Sequence, residues 1–219
     1  MSSVNSILSR LVDILSGRYH SMLDGKIRKI HAAYCALERD IEIFKKKTGL
    51  SCIDGCGHCC ACSTVEASEA EMLPLADDLI RRGEVAAWYA KAEAAQFAGR
   101  CVFYEPEAGN EHHGRCACYA MRPLICRFFG FSANVDKRGV MRFVACKFLK
   151  ERDMDEIEKI QDDVASGAVH APSMSEYLMA AASLDPSIGV EMMPINQAFK
   201  KAVEHVALHR RCSHVRFGR

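Results

Sequence analysis

The sequence has no run of eighteen or more apolar residues, so no segment reads as a membrane-crossing helix. Neither sign of charge is in excess. Lys plus Arg is 29 and Asp plus Glu is 28, for a formal net charge of +1. That lacks the positive footprint of a nucleic-acid binder. No export signal is recognisable. Met1-Ser2-Ser3-Val4-Asn5 carries no cationic opening, and Arg10 and Asp13 interrupt the first apolar stretch. The expectation is therefore a cytoplasmic protein. There is no Ser/His/Asp set, no phosphate-cradling glycine loop, no internal repeat and no low-complexity tract. Strand-like runs are scarce: Val102-Phe103-Tyr104, and Met141 to Val144. What remains is a chain of 219 residues, 49% hydrophobic and 26% charged, long enough to bury a core without disulfides.

Against that ordinary background stand twelve cysteines, ten of them between Cys52 and Cys146. In a reducing compartment thiols do not persist as disulfides, so this density points to metal binding or redox chemistry. Cys35, among Ala32, Ala33 and Ala36, reads instead as a buried apolar residue in a helix. Cys212, in a basic tail, reads as exposed.

The helical pattern is strong at both ends of the chain. Ile27, Ile30, Tyr34, Leu37, Ile41 and Phe44 recur at helical spacing, and Leu8, Leu11, Val12, Leu15, Tyr19, Met22 and Leu23 extend the stripe upstream. Asp24-Gly25 is a candidate break, and Thr48-Gly49 the stop. Residues 1–50 are thus a long helix or a helical pair. Such a helix either packs on its own domain or forms the arm of a homodimer or protein-partner contact. Residues 151–219 predict three helices, at about 153–165, 174–184 and 194–210. Between them, residues 51–150 hold the cysteines. Ser68 with Glu71 is a capping box for a helix running to Arg82 and closed by Gly83. An Ala-rich helix follows from Glu84 to Phe97. Pro123 opens a short helix, and Asp136-Lys137-Arg138-Gly139 is a hairpin turn. The fold class is mainly α with minor short β, built around a cysteine-rich metal-binding core.

Two cysteine groups carry the chemistry. The first is Cys52-Ile-Asp-Gly-Cys56-Gly-His-Cys59-Cys60-Ala-Cys62. Thiols a few residues apart in a glycine-containing turn can aim at one point, as zinc and iron–sulfur sites require. Gly55 and Gly57 allow the backbone to fold around an ion. The second group is Cys101, Cys116, Cys118, Cys126 and Cys146. Cations sit beside several of them: Arg100, Arg115, Arg127 and Lys147. Positive charge lowers thiolate pKa and stabilises an anionic centre.

The runs Cys56-Gly-His-Cys59-Cys60, Cys101-Val-Phe-Tyr and Cys118-Tyr119-Ala-Met-Arg122-Pro123-Leu-Ile-Cys126-Arg127-Phe128 together resemble the CxxCxxCC, or YkgJ-like, cysteine-cluster family of zinc- or iron-chelating domains. The resemblance covers about residues 52–146. The family spaces its first two cysteines by two residues, whereas Cys52 and Cys56 are separated by three. The resemblance implies eight metal-associated cysteines: Cys52, Cys56, Cys59, Cys60, Cys101, Cys118, Cys126 and Cys146. Cys62 and Cys116 fall outside the pattern. Arg122 and Arg127 are expected to support the centre, Arg122 by bridging to a thiolate or to Glu69 or Glu71. The cofactor is zinc or an iron–sulfur cluster, since both accept four thiolates. Three functions fit. One is a structural or electron-transfer metal centre. The second is an iron–sulfur enzyme of redox or methyl-transfer type, because flagellin lysine methylases share a related cysteine pattern. The third is a zinc-stabilised interaction module.

The spacing Cys52-x3-Cys56-x2-Cys59 also occurs in radical-SAM enzymes, but the long strand–helix alternation of their barrels is missing. Cys56-x2-Cys59 as a thioredoxin-type pair lacks a preceding strand. His205 and His209, four apart on the last helix, have ligand spacing without an accompanying Glu, and read as a polar face. His112-His113 could supply a fifth ligand, but reads first as an exposed loop.

Overall fold

The computed structural model describes residues 2–95 and 99–211, with side chains described from Ser21 onward except at Glu111 and Arg211. The chain is mainly α, with a few short strands. Helix α1 spans Ser2–Thr48 without interruption at Asp24-Gly25. A Cβ at Gly25 would meet nothing within 4 Å, so nothing crowds the helix there. The apolar residues Leu8 to Tyr19 of the predicted stripe lie outside the described side chains. From Leu23 onward the stripe is buried as its spacing requires: Leu23, Ile27, Ile30, Tyr34, Leu37, Ile41 and Phe44 are all inside. Met22 departs from it, at 58% exposure. So does Cys35, which lies on the solvent side of α1 rather than in the core.

The middle of the chain comprises α2 (His58–Ala61), β1 (Glu66–Ser68), α3 (Glu69–Arg82), α4 (Val85–Ala94), β2 (Tyr104–Glu107), β3 (Asn110–Cys116), a 3-10 turn (Tyr119–Met121), α5 (Leu124–Phe128), β4 (Ser132–Val135) and β5 (Met141–Val144). The capping box is formed: the Glu71 amide donates to Ser68 Oγ at 3.2 Å, and the Ser68 amide donates to Glu71 Oε2 at 3.0 Å. Such a cap stabilises a helix by about 1 kcal/mol. Gly83 closes α3 at φ +73°, where a side chain would be strained. Residue 97, the expected end of the Ala-rich helix, lies outside the described residues. The predicted strand at Val102-Phe103-Tyr104 begins only at Tyr104, because Phe103 turns into the core against Trp88 and Phe199. The hairpin turn forms as expected, Asp136 Oδ1 accepting from the amides of Arg138 and Val140.

The last third comprises α6 (Lys147–Arg152), α7 (Met154–Ala165), α8 (Met174–Leu184), α9 (Pro186–Gly189), β6 (Met192–Pro194) and α10 (Ile195–Arg211). Strand β6 pairs antiparallel with β1, Ala67 opposite Met193, and this places α10 against α3 and α4. Burial divides into two clusters. The larger joins α1, α3, α5 and α10 around Leu37, Leu73, Leu124 and Phe199. The smaller packs the β4–β5 hairpin on α6 and α7 around Phe143, Leu149 and Ile160. Phe44, at the end of α1, reaches into the second cluster and lies 5.3 Å from the Phe143 ring. No helix among the described residues is long and apolar enough to cross a membrane.

Candidate metal centre

The loop carrying the first cysteines has little regular structure of its own and is held by β3. Gly57 N donates to His112 O and Gly114 N to Gly55 O, each at 2.8 Å. Gly55 takes φ +67°, and a Cβ there would sit 2.1 Å from the His113 ring. Only glycine satisfies both constraints. Gly57 has an ordinary φ of −107° and is instead confined by space, since a Cβ would fall 2.0 Å from Tyr104 Oη. His112 and His113 are therefore part of strand β3 rather than a loop, with His112 exposed. His112 stacks on His58, which stacks in turn on Phe148. Short helix α2 then presents Cys59 and Cys60. Cys101 N donates to Cys60 O at 3.3 Å, which ties the second cysteine group to the first.

Between α1, α3, the β2–β3 hairpin and the turn into α5 lies a cavity of about 760 Å³. Seven of the eight cysteines implied by the family resemblance line it: Cys52, Cys56, Cys59, Cys60, Cys101, Cys118 and Cys126. Cys116, outside that pattern, lines it as well. Cys146 does not. It lines a neighbouring cavity of about 400 Å³ together with Cys62, and Cys59 borders both cavities. The eleven described cysteines are all free thiols, and Cys212 lies outside the described residues.

The thiols are electrostatically unequal. The Cys60 thiol donates to Cys59, and this, helped by the Arg122 charge, brings Cys59 down to about 7. The same hydrogen bond, with burial, pushes Cys60 up. Burial raises Cys101 to about 12 and Cys118 to about 11, and raises Cys52, Cys116 and Cys126 too. Each of these thiols also opposes ionisation of its neighbours, Cys126 through Cys101 and Cys59. A set of soft donors that resist ionisation because they are buried together is chemically suited to a thiophilic cation, which favours the thiolate. Among the described residues, no three His, Cys, Asp or Glu side chains already stand in a gripping arrangement.

Arg127 is buried, with 7% of its side chain exposed, and its donors are engaged. Nη1 pairs with Glu38 Oε2, Nε donates to Arg122 O at 3.0 Å, and Nη2 donates to Ala120 O at 2.8 Å. It thereby fastens the 3-10 turn and α5 to α1. Arg122 donates from Nη2 to Glu38 Oε1 at 3.3 Å and stacks over Tyr119 at 3.9 Å, while its buried Nε has no partner. The expected Arg122 contact with Glu69 or Glu71 does not form. Glu71 Oε1 accepts from the Ile125 amide at 3.2 Å, and Glu69 pairs with His205 Nδ1 at 2.8 Å. Glu38 is the residue that sequence reasoning missed. Its place beside Leu37, on the flank of the buried stripe, was the available signal. Two cations flanking cysteines turn to carboxylates instead, Arg115 to Glu105 and Lys147 to Glu151. His205 and His209 stack at 4.3 Å and line neither cavity.

Residues 51–147 match the family model CxxCxxCC, described as "Putative zinc- or iron-chelating domain". The matched segment is similar to that domain and contains every cysteine that lines the large cavity. No curated protein and no solved structure matches the chain.

Proposed function

We propose that this protein chelates zinc or iron through the thiols of the large cavity, holding either a thiolate-ligated zinc ion or an iron–sulfur cluster. The observation that carries the reading is convergence. Thiols spread from Cys52 to Cys126 line one cavity between α1, α3, the β2–β3 hairpin and the turn into α5. Cys59, Cys60, Cys101, Cys116 and Cys126 are the core of the ligand set. Cys52, Cys56 and Cys118 extend it. Cys146 stands behind the wall that Cys59 shares. Bound zinc would supply a crosslink and Lewis acidity, and a cluster would supply one-electron transfer.

The protein's own residues shape the site in distinct ways. Arg122 supplies positive charge toward Cys59 and Cys116. Arg127 and Glu38 hold the Cys118–Cys126 segment in register against α1. Free thiols among the described residues suit a reducing, cytoplasmic setting.

Metal analysis with a visible spectrum of anaerobically purified full-length protein tests the proposal. Brown colour with charge-transfer absorption means iron–sulfur, and stoichiometric zinc without colour means zinc. Cys59→Ser, Cys116→Ser and Cys126→Ser should each lower bound metal, while Cys35→Ser leaves it unchanged. Protein purified and reconstituted with neither metal above trace would sink the reading.

A further inference from the structure

We infer that the centre is of the open kind and receives a small organic ligand with an apolar body and a soft donor atom; the inference rests on the chelation reading above. Structural thiolate sites are closed by their own ligands, whereas sites that meet a substrate keep a position open to it. An ion held by three of these thiolates keeps one position open and fills a small part of a cavity of about 760 Å³, a volume in the range of small-molecule sites. The thiols are not sealed from that space. Cys56, Cys59, Cys60, Cys116 and Cys126 are half-buried, and Cys52 is exposed.

The rim and walls define the ligand's chemistry. Three large apolar side chains from separate segments border the cavity and still face solvent: Ile53 at 40%, Tyr119 at 60% and Phe129 at 39%. Isolated exposed apolar residues need no explanation, but three at one cavity form a patch. Most charges at the wall are already paired with one another, Asp54 and the Nε of Arg122 excepted. Glu38 pairs with Arg122 and Arg127, and Glu42 with Lys45 at 2.8 Å. Arg115 pairs with Glu105 at 2.9 Å. A strongly charged ligand would have to break these pairs, and an apolar one would not. An apolar body seated on Ile53 and Tyr119 reaches inward to the thiol-lined floor, where a thiol, thioether or imidazole donor suits the open position.

The test uses reduced full-length protein, with a phosphine reductant, loaded with Co²⁺. Retention of about one equivalent of cobalt through gel filtration, with thiolate-to-cobalt absorption, establishes the underlying chelation independently. Benzenethiol is then titrated against the cobalt d–d bands, with 4-mercaptobenzenesulfonate as the charged competitor carrying the same aryl thiol donor. The expected result is a saturable band shift with cobalt retained, and benzenethiol binding about tenfold more tightly than the sulfonate. Ile53→Ala and Tyr119→Ala should each weaken benzenethiol about tenfold, the scale of a lost apolar contact of this size, without changing cobalt stoichiometry. Full cobalt with bands unmoved by either thiol would overturn the inference and leave chelation standing. So would cobalt stripped rather than shifted, or equal affinity in both rim variants and the parent. A chain that binds no cobalt overturns both.

Discussion

The small apolar cluster and the thiol-lined cavity of this molecule are built on different principles. Around the β4–β5 hairpin, α6 and α7 close on Phe143, Leu149, Ile157, Ile160 and Val164, which exclude water by apolar contact alone. Around the large cavity, thiols and two arginines stand among apolar side chains of the larger cluster, such as Ile41, Met72 and Phe103. Apolar burial stabilises the first region whatever the solution contains. The second has raised its thiols' resistance to ionisation by burying them together, and a cation relieves that resistance. One region is packed by apolar side chains, and the other gathers thiols around a cavity.

Metal removal should break this symmetry most visibly. Under strong chelation in reducing conditions, amides of residues 52–62 and 101–126 should exchange roughly 100-fold faster or more, while those of α7 and β5 keep their protection. Equal loosening of both regions, measured by hydrogen exchange, would mean that they are not independent.

The converse experiment strikes the apolar cluster. Ile160→Ala should cost about 2–5 kcal/mol in chemical denaturation, the range for truncating a buried Ile, with bound metal unchanged. Loss of metal in that variant would show that the hairpin region positions the cavity.

A smaller effect is expected at the clamp between α1 and the cysteine segment. Arg127→Ala removes the hydrogen bonds to Arg122 O and Ala120 O and the ion pair with Glu38. It should weaken metal retention against a competing chelator roughly 10–100-fold, the scale for residues that orient ligands. Arg127→Lys recovers part of this by keeping the charge without the planar fork. Retention equal to the parent protein would assign Arg127 to packing alone.

The smallest effect lies away from both clusters, where Lys26 of α1 pairs with Asp185 at the start of α9. The hydrogen bond from Lys26, helped by Ser187, draws the Asp185 carboxyl down to about 2. Its contribution is therefore present above about pH 4 and fades as pH falls toward 2. Both side chains are partly exposed, so Asp185→Asn should cost about 1 kcal/mol or less at neutral pH. A thermal-melt series from pH 7 to pH 2 should show parent and variant converging at the acid end.

Much of the helical framework was legible residue by residue. The stripe from Ile27 to Phe44, the Ser68–Glu71 box, Gly83 and the Asp136–Gly139 turn depend on interactions a few residues apart, and those are written in order along the chain. The misreadings share the opposite property. Cys35 looks like core by its alanine neighbours, yet it faces solvent because burial on α1 is decided by α3, α8 and α10 across the way. His112 and His113 look like loop residues until the Cys52–Cys62 segment is hydrogen-bonded along them.

The sequence by itself determined that the protein is mainly helical, that most of its cysteines are concentrated in residues 52–146, and that their pattern resembles that of a zinc- or iron-chelating domain. Helical periodicity, caps and thiol chemistry are local properties and need no partner to be read. Tertiary structure alone decided which thiols share a space: Cys116 inside the large cavity, Cys146 beyond its wall, and Cys59 between the two. It also chose Glu38, from 84 and 89 positions away, as the acceptor for Arg122 and Arg127. The physical reason is distance along the chain. A side chain's long-range partners are set by how whole helices pack, and packing is a property of the assembled core rather than of any segment within it.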